Sequence, residues 1–249
     1  MNSKRMAKGR KAAMSEWLGP RTAKLIAGVA ALVLLLPGSA LGGSVAGGNF
    51  ETGTLSGWSV VNSGSGNWFA YSGTTSPHSG FPVAAPPQGN FAATTDQGGP
   101  GSHILYQDLA LEAGLKHTLT FTLYYANRAG AFSTPASLSE SVSPNQQYRV
   151  DVVKPSAAIA SVAATDVLRN VVQTHVGDPL TRGPTPITVD LTPYAGQTIR
   201  LRFAEVDNQY YFQASVDDVK LVSTPHESLV CSSLRKYLPV SLIPAYLGC

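Results

Sequence analysis

The most constraining feature of the sequence is a strict alternation of apolar and polar side chains over residues 117–126. Leu119, Phe121 and Leu123 fall on one face of an extended chain, and threonines fill most of the other. This period of two indicates a half-buried β-strand with a β-branched outer face. Similar short runs occupy residues 58–61, 68–71, 90–95, 104–111, 148–153, 167–174, 186–191, 198–207 and 212–221.

Short clusters of glycine, proline and serine separate these runs, for example at residues 63–66 and 98–101. About ten short strands with frequent turns predict an all-β domain, an antiparallel β-sandwich of the jelly-roll type. Residues 155–166 are alanine-rich and can form one or two helical turns inserted between strands. The polar loop over residues 129–147 is the expected ligand-contacting loop.

The first 42 residues have the layout of an export signal. Seven basic residues precede an apolar run over residues 25–36, and Pro37 and small residues follow it. This order is typical of a secretory signal peptide, and the run is shorter than the roughly 20 residues that span a bilayer. We therefore expect a signal peptide at 1–42, a mature domain at 43–221 and a tail at 222–249. An uncleaved N-terminal anchor is the alternative.

The net charge changes when the export segment is set aside. The chain has 18 basic and 15 acidic residues, of which residues 1–42 hold seven and one. The remaining 11 bases and 14 acids give the exported part a net charge of −3 with neutral histidines. The apparent basicity therefore belongs to the export segment, and no cluster of Lys and Arg indicates nucleic-acid binding.

Both cysteines, Cys231 and Cys249, lie in the tail. In an oxidising compartment a disulfide between them would close a loop of about 18 residues, worth roughly 3 kcal/mol in the chain-entropy model. Free or intermolecular thiols are the alternative. Pro239 and Pro244 interrupt the apolar end of the tail, which argues against a membrane span there. Packing on the domain, attachment to another protein and envelope targeting remain as roles for the tail.

Two short motifs frame the domain. The first is GNFETGTLSGW at residues 48–58, and the last is VDDVKL at residues 216–221. With Gln107 after a glycine-rich turn and TPYAGQ at residues 192–197, they resemble galactose-binding-like β-sandwiches, a form that many secreted carbohydrate-binding modules have. The resemblance covers residues 48–221, places the two motifs in the first and last strands, and implies a carbohydrate-binding jelly roll. MAM domains are framed similarly, but their usual disulfides are absent from this range.

The same resemblance implies a structural calcium ion where the first and last strands meet, with Glu51 and Asp217 or Asp218 as ligands. The apolar positions of the last strand change from even to odd numbers at this point. Such a change of phase predicts a β-bulge that re-aims one aspartate. Calcium takes about six to eight oxygen ligands, which two acids and nearby carbonyls can supply. Solvated acids at a strand bend, with Glu51 near Lys220, are the alternative.

Glu205 continues the inward parity of Phe203. Because a buried carboxylate is costly, we expect the strand to leave the core near Ala204. Pairing of Glu205 with Arg128 or Arg149 is a variant of the same explanation. The functional alternative is a ligand site at the end of the sandwich or on its concave face.

Carbohydrate sites combine aromatic rings that lie against a sugar face with polar groups that bind its hydroxyls. An aromatic platform at Trp68, Phe69 and Tyr71 is one expectation, and a second group lies around Tyr210. Trp58, in the opening motif, is expected in the core. The candidate ligand-binding residues are Trp68, Tyr71, Tyr124, Asn127, Arg128, Glu205, Asp207, Tyr210 and Tyr211.

Catalytic motifs are missing from the sequence. The five histidines form no close metal pair, no GxSxG elbow is present, and both cysteines lie in the tail. We therefore expect a secreted or cell-surface module that is not an enzyme and binds carbohydrate, with structural calcium as its candidate cofactor. An adhesive envelope protein that contacts other proteins is the alternative, followed by a glycan-active hydrolase with two facing carboxylates.

Overall fold

The computed structural model describes residues 44–225 and 234–242. The described residues form two antiparallel five-stranded sheets, so the expected all-β sandwich is confirmed. The expectations for the export signal and for a bond between Cys231 and Cys249 concern residues outside the described ranges. The strands are β1 (Ser59–Gly64), β2 (Asn67–Tyr71), β3 (Ala92–Asp96), β4 (Gly101–Ala110), β5 (Leu115–Asn127), β6 (Gln146–Val153), β7 (Val167–Gln173), β8 (Thr181–Asp190), β9 (Thr198–Asp207) and β10 (Phe212–Pro225).

The first sheet has the strand order β1-β4-β9-β6-β7, and the second has the order β2-β3-β10-β5-β8. Each run of alternation in the sequence corresponds to one strand. In β5 the side chains of Leu119 and Leu123 are fully buried, whereas those of Thr120 and Thr122 are half-buried. Strand β10 continues pairing through Pro225, four residues beyond the expected boundary of the domain.

The core lies between the two sheets and is rich in aromatic contacts. Phe121 of the second sheet meets Phe203 of the first edge-to-face, with ring centroids 5.3 Å apart. Trp58 lies 5.7 Å from the Phe203 ring and is buried, as expected. Such edge-to-face pairs add to the stability gained from apolar burial, so these rings join the sheets at the centre of the domain.

The opening motif forms turns rather than the expected first strand. The Val219 N–H donates to the carbonyl oxygen of Gly48 at 2.9 Å, and Gln107 Nε2 donates to the carbonyls of Ala46 and Gly57. A Cβ on Gly48 would lie 2.1 Å from the Val219 oxygen. Glycine therefore lets the opening segment approach β10 closely without pairing as a strand.

Residues 72–91 cover part of the outer face of the second sheet. The N–H groups of His78 and Ser79 both donate to Asp96 Oδ2 at 2.7 Å. Burial alone would raise the pKa of Asp96, but the hydrogen bonds from Ser79 and His78 outweigh it and lower the pKa. As a result, polar side chains of this face such as Tyr124 are buried.

Residues 155–166 cover part of the outer face of the first sheet. They form turns and not the expected helical turns. Arg202 is fully buried beneath them, and its Nη1 donates to the carbonyl oxygens of Ile159 and Ser161 at 2.6 and 2.8 Å. Carbonyl groups that a helix would use internally are therefore bound to a side chain of β9.

Residues 234–242 contain a single helical turn followed by the 3-10 turn Val240–Leu242. None of the helical segments in the described ranges has the length and apolar character needed to cross a membrane.

Candidate functional site

A cleft of about 230 Å³ opens at one end of the sandwich. The turn between β3 and β4 forms one wall, and the connection between β9 and β10 forms the other. The cleft is lined by Gln97, Gly98, Gly99, Pro100, Asp207, Asn208, Gln209, Tyr210 and Tyr211. Of the residues singled out in the sequence, Asp207, Tyr210 and Tyr211 thus come together here.

Tyr210 presents an aromatic ring to solvent at the cleft, with 56% of its surface exposed. Its ring stands perpendicular to that of Tyr211, with centroids 5.1 Å apart. Tyr211 in turn packs against Phe81 at 4.8 Å, and the Arg128 guanidinium lies 4.2 Å from the centre of the Phe81 ring. This stack supports Tyr211 from behind and leaves Tyr210 free to contact a ligand.

Amide side chains fix the connection that carries these tyrosines. Asn208 Oδ1 accepts from the N–H of Asn145, and its Nδ2 donates to the carbonyls of Glu140 and Val142. Asn127, another candidate from the sequence, is buried and binds protein groups such as Gln146 Nε2. Asn127 therefore supports the site and does not reach the cleft surface.

Two buried carboxylates lie at the inner end of the cleft. Glu205 is fully buried and Asp207 is 2% exposed. Neither oxygen of Glu205 nor Oδ1 of Asp207 has a hydrogen-bond partner among the described residues. The expectation that β9 leaves the core near Ala204 is wrong, because all residues of β9 from Leu201 onwards are buried.

The arginines expected to neutralise Glu205 bind elsewhere. Arg149 forms a two-pronged pair with Asp151. Arg128 donates to the Pro82 carbonyl and to Gln213. Glu205 therefore remains inside the sandwich without either of these partners.

Burial shifts the pKa values of Glu205, Asp207 and His103. It raises the pKa of Glu205 well above the usual value, and the neighbouring charge of Asp207 adds to the effect. Burial likewise raises the pKa of Asp207 to about 8. It lowers the pKa of His103, on the adjacent strand β4, to about 4. At neutral pH the ring of His103 is therefore uncharged, and both carboxyls resist ionisation.

Of the expected aromatic platform, Phe69 is half-buried, whereas Trp68 and Tyr71 are buried, as is Tyr124. Trp68 points into the sandwich, where its ring lies 6.4 Å from that of Tyr148. The hydroxyls of Tyr71 and Tyr124 lie 2.7 Å apart under residues 72–91, and burial raises the pKa of Tyr71 to about 12. These rings are closed to an outside ligand in this fold.

The predicted β-bulge in β10 is confirmed at the expected position. The pairing with β5 shifts between Asp217 and Lys220, and Asp218 has a φ of 53°. Burial, together with the charges of Asp218 and Glu51, raises the pKa of Asp217 to about 7. Asp218 Oδ1 forms an ion pair with Lys220 at 2.5 Å.

Glu51 and Asp217 meet at the turn over residues 88–91, but protein donors hold them. The N–H groups of Asn90 and Phe91 donate to Glu51 Oε1 at 2.9 Å, and the Gln88 N–H donates to Asp217 Oδ2 at 3.1 Å. This arrangement gives both carboxylates a structural role without an ion. Calcium at the junction stays a prediction.

A different group in the described ranges has the closeness that metal ligation needs. One ligand atom each from His103, Glu205 and Asp207 lie within 4.8 Å of one another. Sequence reasoning did not single out His103. The sequence did carry a signal. Leu105 and Leu109 of β4 point into the core, and His103, two residues before Leu105, falls on the same face of the strand.

Comparison with known proteins gives no match to a family model and none to a curated protein. Among solved structures, a carbohydrate-binding module (TmCBM61) in complex with β-1,4-galactotriose is 15% identical, with a TM-score of 0.43, over 71% of this chain and 95% of that one. The K3 adhesin domain of Lys-gingipain from Porphyromonas gingivalis is 18% identical, with a TM-score of 0.44, over 70% and 96%.

A cyclase from Fischerella sp. TAU, solved with an indolyl butanone, is 17% identical, with a TM-score of 0.41, over 74% of this chain and 98% of that one. Carbohydrate-binding modules and adhesin domains are thus among the structures that this β-sandwich is similar to, and so are enzymes. The identities and TM-scores are too low to transfer a ligand or an activity to this chain.

Proposed function

We propose that the chain is a secreted binding module without enzymatic activity, whose ligand is a carbohydrate bound in the end cleft. The observation that carries this proposal is the exposed ring of Tyr210 at the cleft, supported from behind by Tyr211 and Phe81. An exposed aromatic ring held by its neighbours suits the apolar face of a sugar.

The rest of the cleft supports the same ligand class. Amide and carboxyl groups of Gln97, Gln209 and Asp207 stand beside the ring and can bind hydroxyl groups. The cleft, at about 230 Å³, is smaller than the roughly 300–1,000 Å³ of sites for drug-sized ligands. Its size favours one end of a glycan over a large ligand.

A glycan array with the purified chain tests this proposal. We expect hits whose affinity falls at least about tenfold in the Tyr210→Ala variant, a loss of about 1.4 kcal/mol. Tyr237→Ala is the matched control, because Tyr237 is 77% exposed and does not line the cleft. An array without hits, or equal loss in both variants, would contradict the proposal and favour an adhesive role that uses protein contacts.

Secretion rests on the layout of residues 1–42. We expect mass spectrometry of material exported by the producing cells to find an N-terminus between Leu41 and Ser44. An intact N-terminus at Met1, Met6 or Met14 would contradict cleavage.

A further inference from the structure

The inner end of the cleft combines buried acids with several polar atoms that lack partners. Besides the atoms of Glu205 and Asp207, both amide atoms of Gln97, which lines the cleft, have no hydrogen bond of good geometry among the described residues. Gln97 nevertheless lies close enough to Asp207 to favour its charged form. Buried polar groups are nearly always satisfied, so this concentration indicates a missing occupant.

Both ring nitrogens of His103 lie within hydrogen-bond distance of oxygen atoms. Asn62 Nδ2 donates to Asn67 Oδ1 at 2.7 Å, which turns Asn62 Oδ1 towards His103 Nδ1 at 3.0 Å. An imidazole that binds a metal through Nε2 carries its proton at Nδ1, where Asn62 Oδ1 can accept it.

The nitrogen Nε2 faces two oxygen atoms. His103 Nε2 lies 3.0 Å from the Ser65 carbonyl oxygen and 4.0 Å from Asp207 Oδ1. Without an ion, a proton on Nε2 can donate to the Ser65 oxygen, and a bound cation would take the place of that proton. Two ligands of a single zinc ion, each bound at about 2.1 Å, lie about 3–4 Å apart, which matches both distances.

Two glycines leave room for the His103 ring. A Cβ on Gly101 would lie 2.5 Å from His103 Nε2, and a Cβ on Gly66 would lie 2.8 Å from the same atom. Asp207 also lines the cleft, so this group of side chains borders the cleft at that residue.

We propose that His103, Glu205 and Asp207, with the Ser65 carbonyl oxygen, bind one divalent transition-metal ion of the zinc type. The ion neutralises two carboxylates that are otherwise buried without a cationic partner among the contacts described above. An imidazole nitrogen among oxygen ligands selects zinc over calcium, which takes oxygen ligands alone. Binding of Asn62 to the second ring nitrogen orients the histidine as the outer contacts of metal sites do.

The experiment uses the purified full chain, stripped of metal and with its thiols alkylated so that Cys231 and Cys249 do not bind zinc. Zinc, manganese and calcium are titrated separately by calorimetry and thermal melting. We expect one zinc ion per chain, a raised melting temperature, and weaker effects of calcium. Anomalous diffraction at the zinc edge should place the ion between His103 and Glu205.

Glu205→Gln is the deciding variant, because it keeps the shape of a side chain that has no partner in the metal-free protein. We expect it to fold and to lose at least about 100-fold in zinc affinity. Glu112→Gln, at an exposed glutamate, is the control and should bind like wild type. Unchanged affinity in Glu205→Gln would overturn the proposal. So would absence of zinc binding to the wild type, which would assign ordered water and a shared proton to the buried acids.

This inference does not rest on carbohydrate binding. Zinc binding is measured without a glycan, and the glycan array can be repeated on metal-stripped protein. Loss of one property with retention of the other therefore identifies which proposal has failed.

Discussion

Arg202 and Asp151 form an ion pair between the neighbouring strands β9 and β6, with Nη2 2.6 Å from Oδ2 and both side chains fully buried. Arg149 binds the same carboxylate from one side, and Asn170 donates to it from β7. The pair therefore links three strands of the first sheet with the covering segment over residues 155–166.

We expect Arg202→Met to lower the free energy of unfolding by about 3–5 kcal/mol, because it removes one partner of a buried pair. Arg200→Met is the matched control on the same face of β9. Its partner Asp108 is 40% exposed, so we expect a loss below about 1 kcal/mol. Urea denaturation at neutral pH measures both values. Equal losses would contradict the importance assigned to the buried pair.

The acid dependence of stability should reflect Asp151. Burial alone would raise the pKa of Asp151, but the hydrogen bond from Arg149 and the charge of Arg202 outweigh it and lower the pKa. A lowered pKa stabilises the fold above the unfolded value of about 3.9, and this contribution is lost as the pH falls through the folded value. We therefore expect the wild type to exceed Asp151→Asn in stability at pH 7, with the difference shrinking below about pH 4. A difference that does not change with pH would contradict this assignment.

Gly89 and Gly73 offer a matched test of the carboxylate held by the 88–91 turn. Both have positive φ, of 63° and 73°. A Cβ on Gly89 would lie 2.4 Å from the Glu51 carboxylate, whereas a Cβ on Gly73 would meet nothing within 4 Å. Alanine at either site costs about 1 kcal/mol in strain, and Gly89→Ala should cost more because it displaces Glu51. Similar melting temperatures for the two variants would show that Glu51 is not held there.

Calcium at the strand junction predicts a distinct response. If the ion binds Glu51 and Asp217, calcium should raise the melting temperature of the stripped chain, and Glu51→Gln should remove that rise. The Glu205→Gln variant should keep it, since the two sites use different ligands. A wild type that does not respond to calcium would remove the calcium prediction and leave the amide donors of residues 88–91 as the whole role of Glu51.

Periodicity was sufficient to predict the strands, because side chains that alternate between core and solvent leave a period of two in the sequence. It also located the bulge at Asp217, where the parity changes. The same alternation could not predict the covering segments over residues 72–91 and 155–166. Tyr124 alternates like a surface residue, and alternation does not reveal which outer face a distant segment covers.

The cleft was only partly predictable. Tyr210 and Asp207 are close in sequence, so their meeting follows from one connection between strands. His103 comes from another strand, and its position beside Glu205 depends on the register of β4 with β9. Local sequence carries no information on that register.

The covering of the second sheet by residues 72–91 has a geometric consequence for any polymer that this chain meets. A long fibre laid across the strands would find the Tyr124 and Asp96 part of that face already occupied by the chain's own backbone. Of the described residues, those at the narrow pole beside Tyr210 present exposed aromatic surface together with a recess. A polysaccharide bound at that pole would be recognised by its chain ends. The amount of bound protein should therefore scale with the number of termini in a polysaccharide preparation and not with its mass.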